Sequence, residues 1–507
     1  MLQCSFMKPE DLLVKGILEY LEDDVKCHPN KTAIVYGEKS YSFLELSLLS
    51  RRIGAALAKR TGAGRPVAVM VNRSAEIVAA FLGTAYNGDY YIAVDPSMNP
   101  DRIRAILTDS GAEIILGTEE NLSLLEQLNV TASFVDYSNP GDEQADAPEV
   151  ESRTPLYMVY TSGSTGTPKG ILKSHGAVMS FIQAFTQVFP IGTDEIIGNQ
   201  TPMFFDASAK DIYLMLYSGL TLDVIPSELF TFPPALLQYL NEHKITYICW
   251  VPTALSMVVQ MNTFRKILPE TLRHVFFVGE VFPLKQLKVW ISALPGLQYV
   301  NLFGSSEISG VCCYYEIDSN AVPDSIPIGK ALPNCEVYLQ GENGFITQPD
   351  EVGEVVIASE ALALEYYGDP QKTAEHFVIR TTPSGKVGRV FLSGDLARYD
   401  GEGNFVFVSR KDFQIKYLGK RIELGEIESA ADKIPQIQRC CCLFDSEKKA
   451  IKLYCEMIPD SDLDAPSIRK LLRDRLPDYM VPHKVIILKE MPFNANGKIN
   501  RKALAEF

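Results

Sequence analysis

Eleven consecutive residues, Tyr160-Thr161-Ser162-Gly163-Ser164-Thr165-Gly166-Thr167-Pro168-Lys169-Gly170, gather hydroxyls and glycines around one lysine. Such a run suits a polyphosphate. Glycines let backbone N–H groups approach phosphate oxygens, hydroxyls add donors, and Lys169 adds charge. It is not a Walker loop. That pattern places Lys and then Ser or Thr directly after its second Gly, whereas Thr167-Pro168 intervene here. The same composition, standing alone, also describes a flexible surface loop. Further motifs downstream, in a definite order, decide between the two.

The elements that must position this run are legible. Leu156-Tyr157-Met158-Val159 before it is strand-like, and a helical pattern begins near His175. Upstream, Pro66 to Val71 reads as a buried strand. Ser74 is placed to cap a helix through Tyr86, which Asn87-Gly88 ends. Tyr90 to Val94 is a strand, Asp101 opens a helix toward Gly111, and Ile114-Ile115-Leu116 is a strand again. Repeated βα units imply a mostly parallel sheet covered by helices. Asn139 to Glu151 is a polar connector. Beyond the run, strands end at Trp250, Gly279 and Gly304. After Pro327 the texture turns to short strands with Gly- and Asp-rich turns, a β-rich subdomain. A small α+β piece follows Asp412, with helices at Leu424–Ile434 and Ser467–Arg475.

The chain has 507 residues, enough for two or more domains and a large core. Its net charge of −15 argues against a general nucleic-acid binder. No apolar run reaches membrane-spanning length, and Met1 to Glu10 has no signal-peptide core. The expectation is a cytoplasmic protein. The ten cysteines include Cys312-Cys313 and Cys440-Cys441-Cys442 but no Cys-x-x-Cys. Adjacent cysteines alternate strand faces, so they read as small core residues, not metal ligands or disulfides.

The downstream stretches are Phe205-Asp206-Ala207-Ser208, Asn301-Leu302-Phe303-Gly304-Ser305-Ser306-Glu307, Ser393-Gly394-Asp395, Ser409 to Glu428, and Asn496-Gly497-Lys498-Ile499-Asn500-Arg501-Lys502. With the phosphate run, these resemble the adenylate-forming superfamily of acyl-CoA synthetases, luciferases and nonribosomal peptide synthetase adenylation domains. The resemblance spans essentially the whole chain and is strongest to the amino-acid-activating branch, including D-alanine–carrier protein ligases. It implies an α/β fold with an N-terminal core, 1–411, of parallel-sheet subdomains plus the β-rich one. A small mobile α+β domain, 412–507, would carry the catalytic lysine. The implied reaction joins a carboxylate to the α-phosphorus of MgATP, releases pyrophosphate, and passes the acyl group from its adenylate to a phosphopantetheine thiol. No carrier domain is evident after Lys498, so the acyl or peptidyl carrier protein is expected in trans.

The resemblance assigns roles residue by residue. Thr161, Ser162, Gly163, Ser164, Thr165, Gly166 and Lys169 face the phosphates. Gly279, Glu280, Asn301, Phe303 and Gly304 form the adenine side, with Phe where the family usually has Tyr. Asp395 accepts the ribose hydroxyls, and Arg410 contacts ribose and phosphate. Ser306 bonds the α-phosphate, Glu307 holds Mg2+, and Lys498 bridges the attacking carboxylate and the α-phosphoryl oxygens. Asp206 pairs with a substrate α-ammonium, since a buried ammonium needs a charge partner; an equally good use of Asp206 is to cap the following helix. The side-chain pocket would be Ala207, Lys210, Cys249, Phe276, Val278, Leu302, Gly310 and Val311. Lys210 either points inward, where an acidic substrate would neutralise it, or snorkels to solvent.

D-alanine ligases typically have Met for Lys210 and Cys for Val278, which speaks against D-alanine itself. Ser409, Ser305 and Glu365 also depart from the family pattern without removing a catalytic group. Asp412 matches the family hinge, about which Lys498 and the Gly419 loop exchange places. Arg469, Lys470, Arg473 and Arg475 form either a basic face for an acidic carrier or a solvated helix face. Two other readings remain: an acyl- or aryl-CoA synthetase, and a catalytically silent nucleotide-binding homologue.

Overall fold

The computed structural model describes residues 15–71, 74–162, 168–446, 448–459, 461–492 and 499–505. Two compact units emerge. The larger holds Met1–Pro96, Leu107–Val159 and Gly170–Lys411; the smaller holds Ser97–Ile106, Tyr160–Lys169 and Asp412–Phe507. The domain boundary implied by the sequence puts 97–106 and 160–169 in the first domain. The fold groups both with the second.

The βα alternation builds two sheets. One has seven strands in the order Glu365–Tyr366, Lys169–Ser174, Pro155–Thr161, Tyr90–Val94, Pro66–Met70, Ile114–Gly117, Ser133–Asp136. Its pairs from Tyr90–Val94 outward to Ser133–Asp136 are parallel. The other has nine strands, with Ile196–Asn199, Tyr247–Trp250, His274–Val278 and Gln298–Phe303 as consecutive parallel neighbours. The helix Glu76–Tyr86 is buried along its whole length and is apolar apart from Glu76, paired with Lys39, and Thr84. It packs closely on Phe43–Ala58, because a Cβ at Gly83 would lie 2.5 Å from Ile53 Cγ2.

Ser74 does not cap that helix. Ala75 occupies the cap position with helical backbone, φ −70° and ψ −23°, and no side-chain cap bond forms. The chain enters the helix already turning, so the extended backbone that a serine cap requires never forms. Asp206 is likewise no cap: it too has helical backbone, and its side chain bonds no N–H of the helix Ala207–Ser218.

The β-rich region is a six-stranded antiparallel sheet. Its longest strand, Val387–Tyr399, pairs with Phe405–Arg410 in a register that sets Asp395 opposite Arg410. In the smaller unit, Ile437–Asp445, Ala450–Met457 and Lys484–Leu488 form a sheet. The helices Leu424–Asp432 and Ala465–Arg473 bury Ile427 and Ile468 in the apolar cluster on one of its faces. Cys440 and Cys442 belong to that cluster, whereas Cys441 packs with Tyr454, Met491 and Leu504 in another. The strand period separates them, and among the described residues no group of His, Cys, Asp and Glu is arranged to hold a metal. Among the same residues, no helix is long and apolar enough to cross a membrane.

Candidate active site

Parallel strands of the nine-stranded sheet send their following segments off one edge. These segments are the turn to Asp206, Val251, Gly279-Glu280, and Gly304 to Glu307. The carboxyl edge of a parallel sheet is where α/β folds bind ligands, because loops converge there from several strands.

Gly304 ends the Gln298–Phe303 strand in a turn with no room for a side chain. A Cβ there would lie 2.2 Å from the Gly310 carbonyl oxygen and 2.6 Å from Val311 Cα. The tight turn delivers Ser306–Ile308 as one turn of 3₁₀ helix. Glu307 within it is fully buried. Its Oε1 accepts from Tyr366 Oη at 2.7 Å. Ser305 Oγ and Ser309 Oγ are buried without a hydrogen-bond partner among the described residues. A buried carboxylate flanked by two hydroxyls that bond no described residue suits a cation and the oxygens it brings. Phe303 is buried at the strand end. Asn301 instead donates to the Pro327 carbonyl at 2.7 Å, tying the sheet to the next segment. Glu280 accepts from Thr253 N at 3.2 Å, and Gly279 takes a φ of 95°, a conformation glycine tolerates.

Asp395 is buried and accepts from Arg410 Nη1 at 2.5 Å; Arg410 Nη2 also donates to the Ser393 carbonyl at 3.1 Å. The guanidinium thus fixes the carboxylate's orientation.

In the smaller unit, Thr161 Oγ1 is buried without a partner among the described residues. Ser162 Oγ is already engaged. It donates to the Arg421 carbonyl at 2.9 Å and accepts from Glu423 N at 3.3 Å. Lys169 begins a strand and pairs with Glu423 at 3.2 Å. Gly163, Ser164, Thr165, Gly166 and Lys498 lie outside the described residues. Asp412 accepts from Gln414 N at 3.2 Å.

The structure brings together part of the expected side-chain pocket. Cys249 and Phe276 are register partners on adjacent strands, as are Val278 and Leu302. Phe276 packs on Tyr247, with centroids 5.1 Å apart. Gly310 abuts the Phe181 ring, Val311 is buried, and Ala207 is exposed. Of the two alternatives for Lys210, the structure excludes the solvent-facing one. The side chain is buried, so it does not snorkel, and its charge is met by Asp211 rather than left for a substrate. It also donates to Tyr247 Oη at 3.2 Å. Asp211 in turn accepts from Asn199 Nδ2 at 2.9 Å. Burial would push the Lys210 ammonium down, but Asp211 beside it holds it well above the usual range. Burial pushes the Cys249 thiol up to about 11.

Sequence reasoning missed Lys173. Its side chain is wholly desolvated and forms an ion pair with Asp206, whose own side chain keeps 16% of its exposure. Tyr157 Oη donates to the same Asp206 oxygen, Oδ1, at 2.9 Å, and Lys173 donates to Tyr157 Oη at 3.2 Å. Burial pushes the Lys173 ammonium down, and Asp206 opposes that. The available signal was a lone cation in the otherwise apolar run Gly170-Ile171-Leu172-Lys173.

Residues 21–367 match the family described as AMP-binding enzyme, and residues 426–498 match the AMP-binding enzyme C-terminal domain. The chain belongs to the AMP-binding enzyme family. It is therefore of the adenylate-forming ligase superfamily. It is similar to an L-proline–[L-prolyl-carrier protein] ligase of Pseudomonas fluorescens, 30% identical over 97% of this chain and 99% of that one. It is also 30% identical to a mycosubtilin synthase protein of Bacillus subtilis over 97% of this chain, which spans only 19% of that much longer relative. Among solved structures, IdnL1 matches with a TM-score of 0.81 and 26% identity, covering 94% of this chain and 99% of that one.

Proposed function

We propose that this enzyme activates an amino acid as its aminoacyl-adenylate and transfers it to the phosphopantetheine thiol of a carrier protein supplied in trans. In the first step a substrate carboxylate oxygen attacks the α-phosphorus of ATP and pyrophosphate leaves. In the second a thiol attacks the acyl carbonyl and AMP leaves. Both steps move negative charge through crowded oxygens, so catalysis rests on positioning and electrostatic stabilisation. Residues 1–411 hold the substrates, and residues 412–507, beyond the hinge at Asp412, contribute Lys498 to the attacking carboxylate.

Glu307 presents one buried carboxylate, steadied by Tyr366. One carboxylate plus substrate phosphates and water is how Mg2+ is commonly held, and the ion would neutralise phosphate charge there. Ser306 contacts the α-phosphate. Phe303 stacks on adenine, beside Gly279, Glu280, Asn301 and Gly304. Asp395, oriented by Arg410, accepts the ribose hydroxyls. Thr161 to Gly166 and Lys169 cradle the outgoing phosphates. Ala207, Lys210, Cys249, Phe276, Val278, Leu302, Gly310 and Val311 surround the acyl side chain.

The observation that carries the reading is the position of Asp206 on the ligand-binding edge of the sheet, unused as a helix cap, in a chain similar end to end to a carrier protein ligase for an amino acid. A second reading, an acyl- or aryl-CoA synthetase, is favoured by one fact: Asp206 already has a cation in Lys173. Incubation with ATP, candidate acids and either a phosphopantetheinylated carrier protein or CoA, followed by intact mass measurement, separates them. An aminoacylated carrier supports the first reading. A CoA thioester of an amine-free acid, with no carrier loading, replaces it with the second.

A further inference from the structure

Asp206 is the side chain on which amino acid recognition turns, and its own helix does not hold it. It precedes Ala207–Ser218 with helical backbone, and its carboxylate bonds no helix N–H. Two neighbouring strands hold it instead. Tyr157 on Pro155–Thr161 donates its hydroxyl to Oδ1 at 2.9 Å, and Lys173 on Lys169–Ser174 pairs with the same oxygen. Lys173 also donates to Tyr157 Oη at 3.2 Å, which closes a ring of contacts around Oδ1. Among the described residues no hydrogen bond falls on Oδ2.

The ring is braced from behind. Tyr157 stacks on Tyr91 at 5.3 Å, and Tyr91 stacks on Phe81 at 4.1 Å. Burial first, and then the charge of Asp206, push the Tyr157 phenol well above its usual range, so it stays an O–H donor. The Lys173 side chain has no exposed surface, whereas that of Asp206 keeps 16%. Solvent, and hence a ligand, reaches the carboxylate and not the ammonium behind it. An amino acid arrives as a zwitterion, and Lys173 with Asp206 is a neutral pair, so their meeting buries no unbalanced charge.

We propose that Tyr157 is a positioning residue for amine recognition: with Lys173 it pins Asp206 by Oδ1, so that Oδ2 is held free to accept from the substrate's α-amine. A lysine ammonium has three donors and can engage both oxygens of one carboxylate. The phenol prevents this by taking one of those donors and fixing Oδ1. Without its hydroxyl, Lys173 closes on Oδ2 as well, and the amine must compete with it. The inference rests on the amino acid activation proposed above and adds to it a residue that acts through Asp206.

The test is ATP–pyrophosphate exchange on the full chain, with α-amino acids of both hands as probes. For the one that exchanges fastest, the acid with the same side chain and no amine is run beside it. The wild type should favour the amino acid by about tenfold or more in kcat/KM, the usual worth of a hydrogen bond to a charged group. Tyr157→Phe keeps the ring and its stack but removes the donor. It should raise KM for the amino acid about tenfold, hold kcat within about twofold, and leave the amine-free acid unchanged. In an Asp206→Ala background the same substitution should add nothing, because its effect passes through that carboxylate. Tyr213→Phe is the control for general loosening: its hydroxyl meets that of Tyr91 at 3.0 Å and bonds no oxygen of Asp206, so the ratio of the two acids should stay as in the wild type. The proposal is overturned if Tyr157→Phe slows both acids alike, leaves their ratio unmoved, or is matched by Tyr213→Phe. An effect undiminished in Asp206→Ala overturns it too. A crystal structure of the wild type with the sulfamoyl analogue of the same aminoacyl-adenylate needs no variant: the amine should sit on Oδ2 with Tyr157 on Oδ1, and an amine on Oδ1 with Tyr157 displaced refutes the assignment. Wild-type exchange indifferent to the amine removes the amino acid reading and this inference together, whereas a preference for the amino acid that survives Tyr157→Phe removes this inference alone.

Discussion

Replacing Lys210 by methionine removes a charge and little volume. In the native fold its ammonium pairs with Asp211 and bonds Tyr247, with its side chain 6% exposed. Removing one partner of a buried ion pair costs about 3–5 kcal/mol, because the other charge is left uncompensated. Asp211 would keep its bond from Asn199 at 2.9 Å, which places the loss near the lower end, about 3 kcal/mol. Asp211→Asn in the same chain removes the orphaned charge and should restore about 2 kcal/mol of that, a coupling visible in a double-mutant cycle. Urea unfolding followed by fluorescence measures all four forms. Single and double variants that add within about 0.5 kcal/mol would refute the reasoning, since independent sites behave that way. The same geometry predicts that acids with an anionic side chain are poor substrates, because Lys210 is already neutralised. A strong preference for aspartate-like acids would show that the pair opens to the ligand.

Three further outcomes follow from particular contacts. Burial holds His175 at about 4, below its ordinary 6.5. The unfolded chain therefore takes a proton that the native chain refuses as pH falls through 6.5. Stability present above that pH should drop by about 3 kcal/mol toward pH 4, and His175→Gln should flatten the slope of urea midpoint against pH. Gly304→Ala places a Cβ against the Gly310 carbonyl at 2.2 Å; overpacking of this kind costs about 1–3 kcal/mol and should displace Glu307, so both melting temperature and adenylation should fall, and an active, unshifted variant would contradict the turn's role. Asp412→Pro fixes φ at the proposed hinge and should spare adenylation while slowing thioester formation; equal loss in both single-turnover half-reactions would remove the hinge assignment.

The strands were legible because their apolar runs are nearly continuous, as a parallel sheet buried on both faces demands. Tyr90–Val94 and the segment ending at Phe303 illustrate this. The β-rich region was legible in kind but not in extent, for Val387–Tyr399 runs thirteen residues through a Ser-Gly-Asp that sequence alone reads as a turn. Helix entry at Ser74 was misread because capping depends on backbone angles that composition does not set. The site's individual carboxylates were visible through motif resemblance. Their partners were not. Lys173 and Asp206 lie 33 residues apart, and Tyr366 reaches Glu307 across 59; only the sheet order brings them together. Lys210 was seen as a question of direction, when its neighbour Asp211 had already answered its charge.

The most direct test of the central claim is ATP–pyrophosphate exchange with a broad panel of carboxylic acids, in the wild type and in Lys498→Ala. Exchange that depends on one class of acid, and falls about 10²–10³-fold in the variant, is the result expected of an adenylate-forming enzyme that stabilises its transition state through this lysine. Exchange with no acid, or the same rate in Lys498→Ala, would contradict the account.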